Sequence, residues 1–210
     1  MVAAEFSFQK FAEQDFYNSL NALLVEEANI TPEQRVIDLA CGTGAVTRLI
    51  LERLRGARES VVIAVDHSAL ALREAKHNLE DAWDAAVQYV QSGVEHLSDS
   101  IKESVDTIVF CNAIHYIPDK DSLISQLSKV LRPGGTFAFN TSFFDGGHPP
   151  ETEHFYRRWM FKALRILKKE YGLMPYGEKT EARRHLTPEQ YEDVLKNQGF
   201  YVATKKIREI

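Results

Sequence analysis

The run Asp38-Leu39-Ala40-Cys41-Gly42-Thr43-Gly44 carries the clearest chemistry in the chain. It follows the apolar Val36-Ile37 and precedes Val46, Leu49, Ile50, Leu51 and Leu54, which recur at helical spacing. This is a buried strand that turns on glycines into a helix. Gly42 and Gly44 let the backbone approach a ligand, and the helix start aims free N–H groups at the same point. A second apolar run, Val61 to Val65, ends at Asp66. A carboxylate there can accept hydrogen bonds from both hydroxyls of a ribose. The pair reads as a nucleoside-cofactor pocket. Thr47 stands where the dinucleotide fingerprint Gly-x-Gly-x-x-Gly has its third glycine, which counts against NAD. Asp38 can orient the glycine loop or face a cationic part of the ligand; a loop-stabilising role is the alternative.

Beyond the apolar run Val105 to Cys111 stands His115. An imidazole titrates near neutrality, so His115 is the first candidate for moving a proton, with packing as its alternative. His148, His154 and His185 are second choices, and none forms a constellation with a carboxylate or cysteine. Cys41 and Cys111 lack metal-ligand spacing and read as reduced, structural thiols. No metal is expected.

The elements that position these residues are legible in outline. Phe8, Phe11, Phe16, Leu20, Leu23 and Leu24 predict an amphipathic helix over 8–29. Strands are expected at 35–40, 60–65, 86–90, 105–111 and 136–141. Ser68 reads as a helix cap ahead of Leu70 and Leu72. Arg132-Pro133-Gly134-Gly135 stops a helix over 120–131. Thr187-Pro188-Glu189-Gln190 opens another that Gly199 ends, and 200–210 reads as a last strand. Strands alternating with helices predict an α/β fold, a Rossmann-like doubly wound and mostly parallel sheet. Ending at a strand suggests a fragment of a longer protein.

The chain has 210 residues, a net charge of −5 and a pI near 5.8. One domain core is the better prior at this length. The acidic balance argues against a nucleic-acid partner. No apolar run approaches the roughly 18 residues of a membrane span, and the N-terminus lacks a signal-peptide pattern, so a cytoplasmic location is expected.

Asp38 to Gly44 resembles the class I S-adenosylmethionine-dependent methyltransferases, small-molecule type. The resemblance continues through Ala64-Val65-Asp66-His67-Ser68, Asp106 to Tyr116 and Leu131-Arg132-Pro133-Gly134-Gly135-Thr136. It covers about residues 33–141 and implies S-adenosyl-L-methionine as cofactor and S-adenosyl-L-homocysteine as product. By resemblance, Gly42 and Gly44 lie along the methionine portion, Cys41 beside them counts among the cofactor-binding residues, and Asp66 holds the ribose. His67 and Ser68 flank the adenosine, Asn112 and Ala113 approach the methionine, and His115 and Tyr116 lie near the reaction cavity, Tyr116 as its wall or as a catalytic group. The family often places an acid after strand three to bond the adenine amino group. Gly93 or Val94 stands there in this chain, so Val94 and Glu95 are expected to serve the adenine through backbone groups and packing.

The expected organisation is an N-terminal helical lid over 1–32, a cofactor-binding core over 33–141, a substrate-selecting insertion over 142–186, and a helix and strand over 187–210. The N-terminal helix can equally form a homodimer surface. The insertion is rich in aromatics, among them Phe143, Phe144, Phe155, Tyr156 and Trp159, with Met174 and Tyr176 near its end. Residues 151–187 hold nine Arg or Lys against five Asp or Glu. An apolar or aromatic small-molecule acceptor with an anionic group fits that composition, as does a solvated helix face. Two other functions stay open: a non-catalytic binding or scaffold protein that kept the fold, and an NAD-dependent oxidoreductase.

Overall fold

The computed structural model describes residues 15–81, 85–173 and 185–208. Helix α1 (Asp15–Glu27) leads into β1 (Arg35–Leu39), α2 (Ala45–Arg53), β2 (Val61–Asp66), α3 (Ala69–Asn78) and β3 (Ala86–Gln91). A short α4 (Leu97–Ser100), β4 (Val105–Cys111), α5 (Lys120–Val130), β5 (Leu131–Asn140), α6 (Pro150–Tyr171) and α7 (Pro188–Asn197) follow. The start of the helix expected at 8–29, with Phe8 and Phe11, lies outside the described residues, as do Met174 and Tyr176.

The strands lie in the order β3-β2-β1-β4-β5, and every neighbouring pair is parallel. The order reverses between β1 and β4, so the loops after these two strands diverge and open a crevice at the carboxyl end of the sheet. The central strands are buried on both faces, which explains their continuous apolar runs. Ile37, Leu39, Ile63, Ile108 and Phe110 meet Leu97, Ile124 and Leu127 on one face. Val36, Val62 and Val109 meet Val46, Ile50 and Leu54 on the other, together with Val25 of α1. The N-terminal helix thus contributes to the core as well as to the mouth of the crevice.

Two boundaries differ from expectation. Strand five begins at Leu131, five residues before Thr136, because pairing with β4 jumps from Val105↔Leu131 to Thr107↔Thr136. The Arg132-Pro133-Gly134-Gly135 segment is taken up as an irregularity in the strand, with Gly134 at φ +77° and Arg132 Nε 2.8 Å from Asp106. The last strand expected at 200–210 is not a strand over residues 200–208. Phe200 packs its ring on Phe137 with centroids 6.3 Å apart, and Tyr201 is 87% exposed. The apolar residues that read as a strand anchor the segment by one ring, without a backbone ladder.

Candidate functional site

The glycine turn and Asp66 are neighbours because β1 and β2 pair in parallel and end together. The turn runs through left-handed backbone at Ala40 (φ +56°), Gly42 (φ +55°) and Gly44 (φ +91°). At Gly44 the backbone at φ +91° favours glycine, and a Cβ there would also crowd Leu79 Cδ1 at 2.9 Å and Ala75 Cβ at 3.3 Å. Asp66 is buried, and its two oxygens accept the N–H groups of Gly42 at 2.9 Å and Ser68 at 2.8 Å. A carboxylate has about four lone-pair sites, so half remain for a ligand's hydroxyls. Asn78 Nδ2 donates to the Thr43 carbonyl at 3.0 Å and holds the turn from the far end of α3. His67 is exposed beside Asp66, with Nδ1 3.3 Å from its carboxylate. The Ser68 hydroxyl accepts the Ala71 N–H and caps α3, as its sequence context predicts.

Asp38 points to the α2 face of the sheet and accepts the Thr47 hydroxyl at 2.6 Å. Burial, reinforced by the nearby Asp66 and opposed by Thr47, pushes its carboxyl up to about 7. The residue that breaks the dinucleotide fingerprint is therefore the hydrogen-bond partner of the buried acid. Burial raises the thiols of Cys41 and Cys111 above their ordinary range, so both are neutral packing groups.

After β3 the chain turns at Gly93 into Val94 and Glu95. A Cβ at Gly93 would fall 2.3 Å from Glu95 Oε1, so the Glu95 carboxylate folds back over the glycine. Beside it lies a cavity of about 260 Å³ bounded by Val94, Ile117, Asp119 and Leu123. The carboxylate thus stands at the position where the sequence itself carries no acid.

Across the crevice, β4 and β5 end in register at Cys111↔Asn140. Asn112 is left-handed at φ +50°, and its N–H reaches Asn140 Oδ1 at 2.9 Å. The side-chain amides of Asn112 and Asn140 both donate to Asn21 Oδ1, at 3.2 and 3.0 Å. Three asparagines from α1, β5 and the loop after β4 thus lock the crevice wall. Asn21 and Asn140 escaped sequence reading. A signal existed for Asn21: it is a polar residue on the stripe formed by Tyr17, Leu24, Val25 and Ala28.

His115 is buried in a short turn after Ala113. Its Nδ1 lies 3.1 Å from the Thr141 hydroxyl, and its ring centroid is 4.1 Å from Tyr116 and 4.5 Å from Phe143. Thr141 also accepts the Phe143 N–H at 3.1 Å. Of the other histidines, His185 comes within 6.4 Å of the His115 ring, while His148 and His154 are exposed on the insertion. Among the described residues there is no group of three or more potential metal ligands, and no helix is long and apolar enough to cross a membrane.

Residues 36–135 match the family model described as a methyltransferase domain. The ubiquinone biosynthesis O-methyltransferase of Hahella chejuensis is 29% identical over 125 residues, 59% of this chain and 50% of that protein. The chain spans about half the length of the curated relatives it matches. The CurJ carbon methyltransferase superposes with a TM-score of 0.66 at 20% identity, covering 95% of this chain and 52% of that one. The cyclopropane synthase MmaA2 of Mycobacterium tuberculosis gives 0.62 at 17%, covering 92% and 66%. With its reversed parallel sheet, its glycine turn and the acid that ends β2, the chain has the class I S-adenosylmethionine-dependent methyltransferase fold, and residues 36–135 are its methyltransferase domain.

Proposed function

We propose that the protein binds S-adenosyl-L-methionine at the Gly42–Asp66 crevice and transfers its methyl to a small-molecule acceptor held between His115 and the insertion. When bound, the cofactor supplies an electrophilic methyl and departs as S-adenosyl-L-homocysteine. The donor set fits such a molecule. Asp66 keeps lone pairs for ribose hydroxyls while its N–H partners hold it in place. Val94 offers an apolar wall to adenine, and the Glu95 carboxylate can accept from its amino group. Asp38, with Asn112 and Ala113 across the crevice, faces the amino-acid end of the ligand. A cation there would draw the proton off Asp38.

On the acceptor side, methyl transfer needs alignment more than acid–base chemistry. Where the acceptor must lose a proton, His115 is the group to take it, oriented through Nδ1 by Thr141. Tyr116, Phe143 and His185 supply aromatic surface around it, which suits an apolar or planar acceptor.

The observation that carries the reading is the double use of Asp66, clamped to Gly42 and Ser68 at the end of β2, beside the glycine turn that follows β1. Calorimetric titration with S-adenosylhomocysteine should give micromolar binding. Asp66→Asn keeps one acceptor oxygen and loses the charge, and should weaken that binding at least tenfold without unfolding the chain. Equal affinity in both proteins would remove Asp66 from the pocket.

A further inference from the structure

We propose that α6 is an in-plane anchor that seats the protein on anionic lipid bilayers. Its 22 residues contain no buried side chain. The exposures are large for apolar groups: Phe155 63%, Tyr156 56%, Trp159 55% and Met160 52%. An uncovered patch of this size marks an interaction surface.

The arrangement of charge selects the partner. At about 100° per residue, Phe155, Tyr156, Trp159, Met160, Ile166 and Leu167 fall in one half of the helix circumference. Arg157, Arg158, Lys162, Arg165, Lys168 and Lys169 fall in the other, interrupted by Phe161. Residues 154–169 contain no acid; Glu151, Glu153 and Glu170 sit at the ends. Six bases against three acids give the helix +3 in a chain of net −5. A protein groove would use the apolar half and leave the bases idle. A bilayer uses both, because Lys and Arg at the rim reach up to anionic headgroups while the aromatic half enters the acyl boundary. A central run of bases also explains why the helix lies on a membrane and does not span it.

The helix grows from a neck at the acceptor side of the crevice. Asp145 N–H donates to the Leu186 carbonyl at 3.0 Å, so the two ends of the insertion meet there. Phe143 and His185, from those ends, pack around His115. Docking through α6 would hold that mouth beside the lipid, where apolar acceptors concentrate.

The test is sedimentation of the full chain with vesicles of phosphatidylcholine, alone or with roughly one-third phosphatidylglycerol. Binding is expected to the anionic vesicles and to fall at least tenfold on pure phosphatidylcholine. Phe155→Glu with Trp159→Glu, and separately Arg158→Glu with Arg165→Glu, should each weaken it at least tenfold. Both pairs should leave the thermal midpoint and S-adenosylhomocysteine affinity unchanged, since the helix buries nothing. With α6 itself unaltered, Trp159 emission in a Trp83→Phe background should shift to the blue on anionic vesicles. Absence of binding, or binding indifferent to both pairs, overturns the proposal. So does a dimer in free solution that the Phe155/Trp159 pair splits, which would assign the face to a second copy.

Discussion

Asp38 is the residue whose environment departs furthest from water among the acids of the crevice. Its folded carboxyl holds a proton up to about pH 7, whereas an unfolded aspartate releases it near 3.8. The folded state therefore binds more protons between these values, and stability falls as pH rises through that window. The contribution of Asp38 is fully present below about pH 4 and is lost above about 7. The slope has an upper bound of about 1.4 kcal/mol per pH unit. Asp38→Asn keeps an acceptor for the Thr47 hydroxyl and carries no charge at any pH. Urea unfolding across pH 4 to 8 should show a flatter curve for the variant and equal or greater stability above pH 7. A wild-type curve already flat over this range would mean that Asp38 is ionised throughout. Sequence alone marks Asp38 as an acid near glycines; its protonation depends on Thr47, nine residues on and across the glycine turn, and on the depth of the sheet.

At the scale of elements, the docking of α1 decides the shape of the crevice wall. Its Oδ1 contact at Asn21 gathers the amides of Asn112 and Asn140, which sit at the ends of two neighbouring strands. Asn21→Ala would leave two partly buried donors without their acceptor, at about 1–3 kcal/mol each before water compensates. A net loss of roughly 2 kcal/mol in urea unfolding is expected. S-adenosylhomocysteine affinity should fall as well, because the left-handed Asn112 loses its anchor. An affinity unchanged in a destabilised protein would confine Asn21 to the fold. The helix itself was legible from its apolar spacing. Its partner surface was not, since 91 residues separate Asn21 from Asn112.

For the whole molecule, the sheet, the turn and the acids form one unit that a ligand should stabilise. At a hundredfold excess over its dissociation constant, S-adenosylhomocysteine should add about 2.7 kcal/mol, a rise of several degrees in thermal midpoint at this size. Asp66→Asn, at about tenfold weaker affinity, should cut that rise to about half at the same ligand concentration. A midpoint indifferent to ligand in both proteins would argue that the crevice does not bind it. The C-terminal segment shows the opposite relation between sequence and structure. Its apolar residues resemble a strand, yet strand pairing requires a neighbour, and Phe200 finds burial against Phe137 instead.

The sequence by itself determined the parallel α/β sheet, the glycine turn after β1 and the acid that ends β2. These rest on local patterns: apolar runs, helical spacing, and glycines where left-handed backbone is required. Tertiary structure alone decided that Thr47 holds Asp38, that Glu95 bends back over Gly93, and that three asparagines close the wall. It also set His115 against Thr141 and left α6 bare. The asparagine and His115 contacts join segments distant in the chain, Thr47–Asp38 and Glu95–Gly93 depend on how a turn folds back, and the bareness of α6 is a matter of what a face fails to meet; periodicity reports which face is apolar without reporting what covers it.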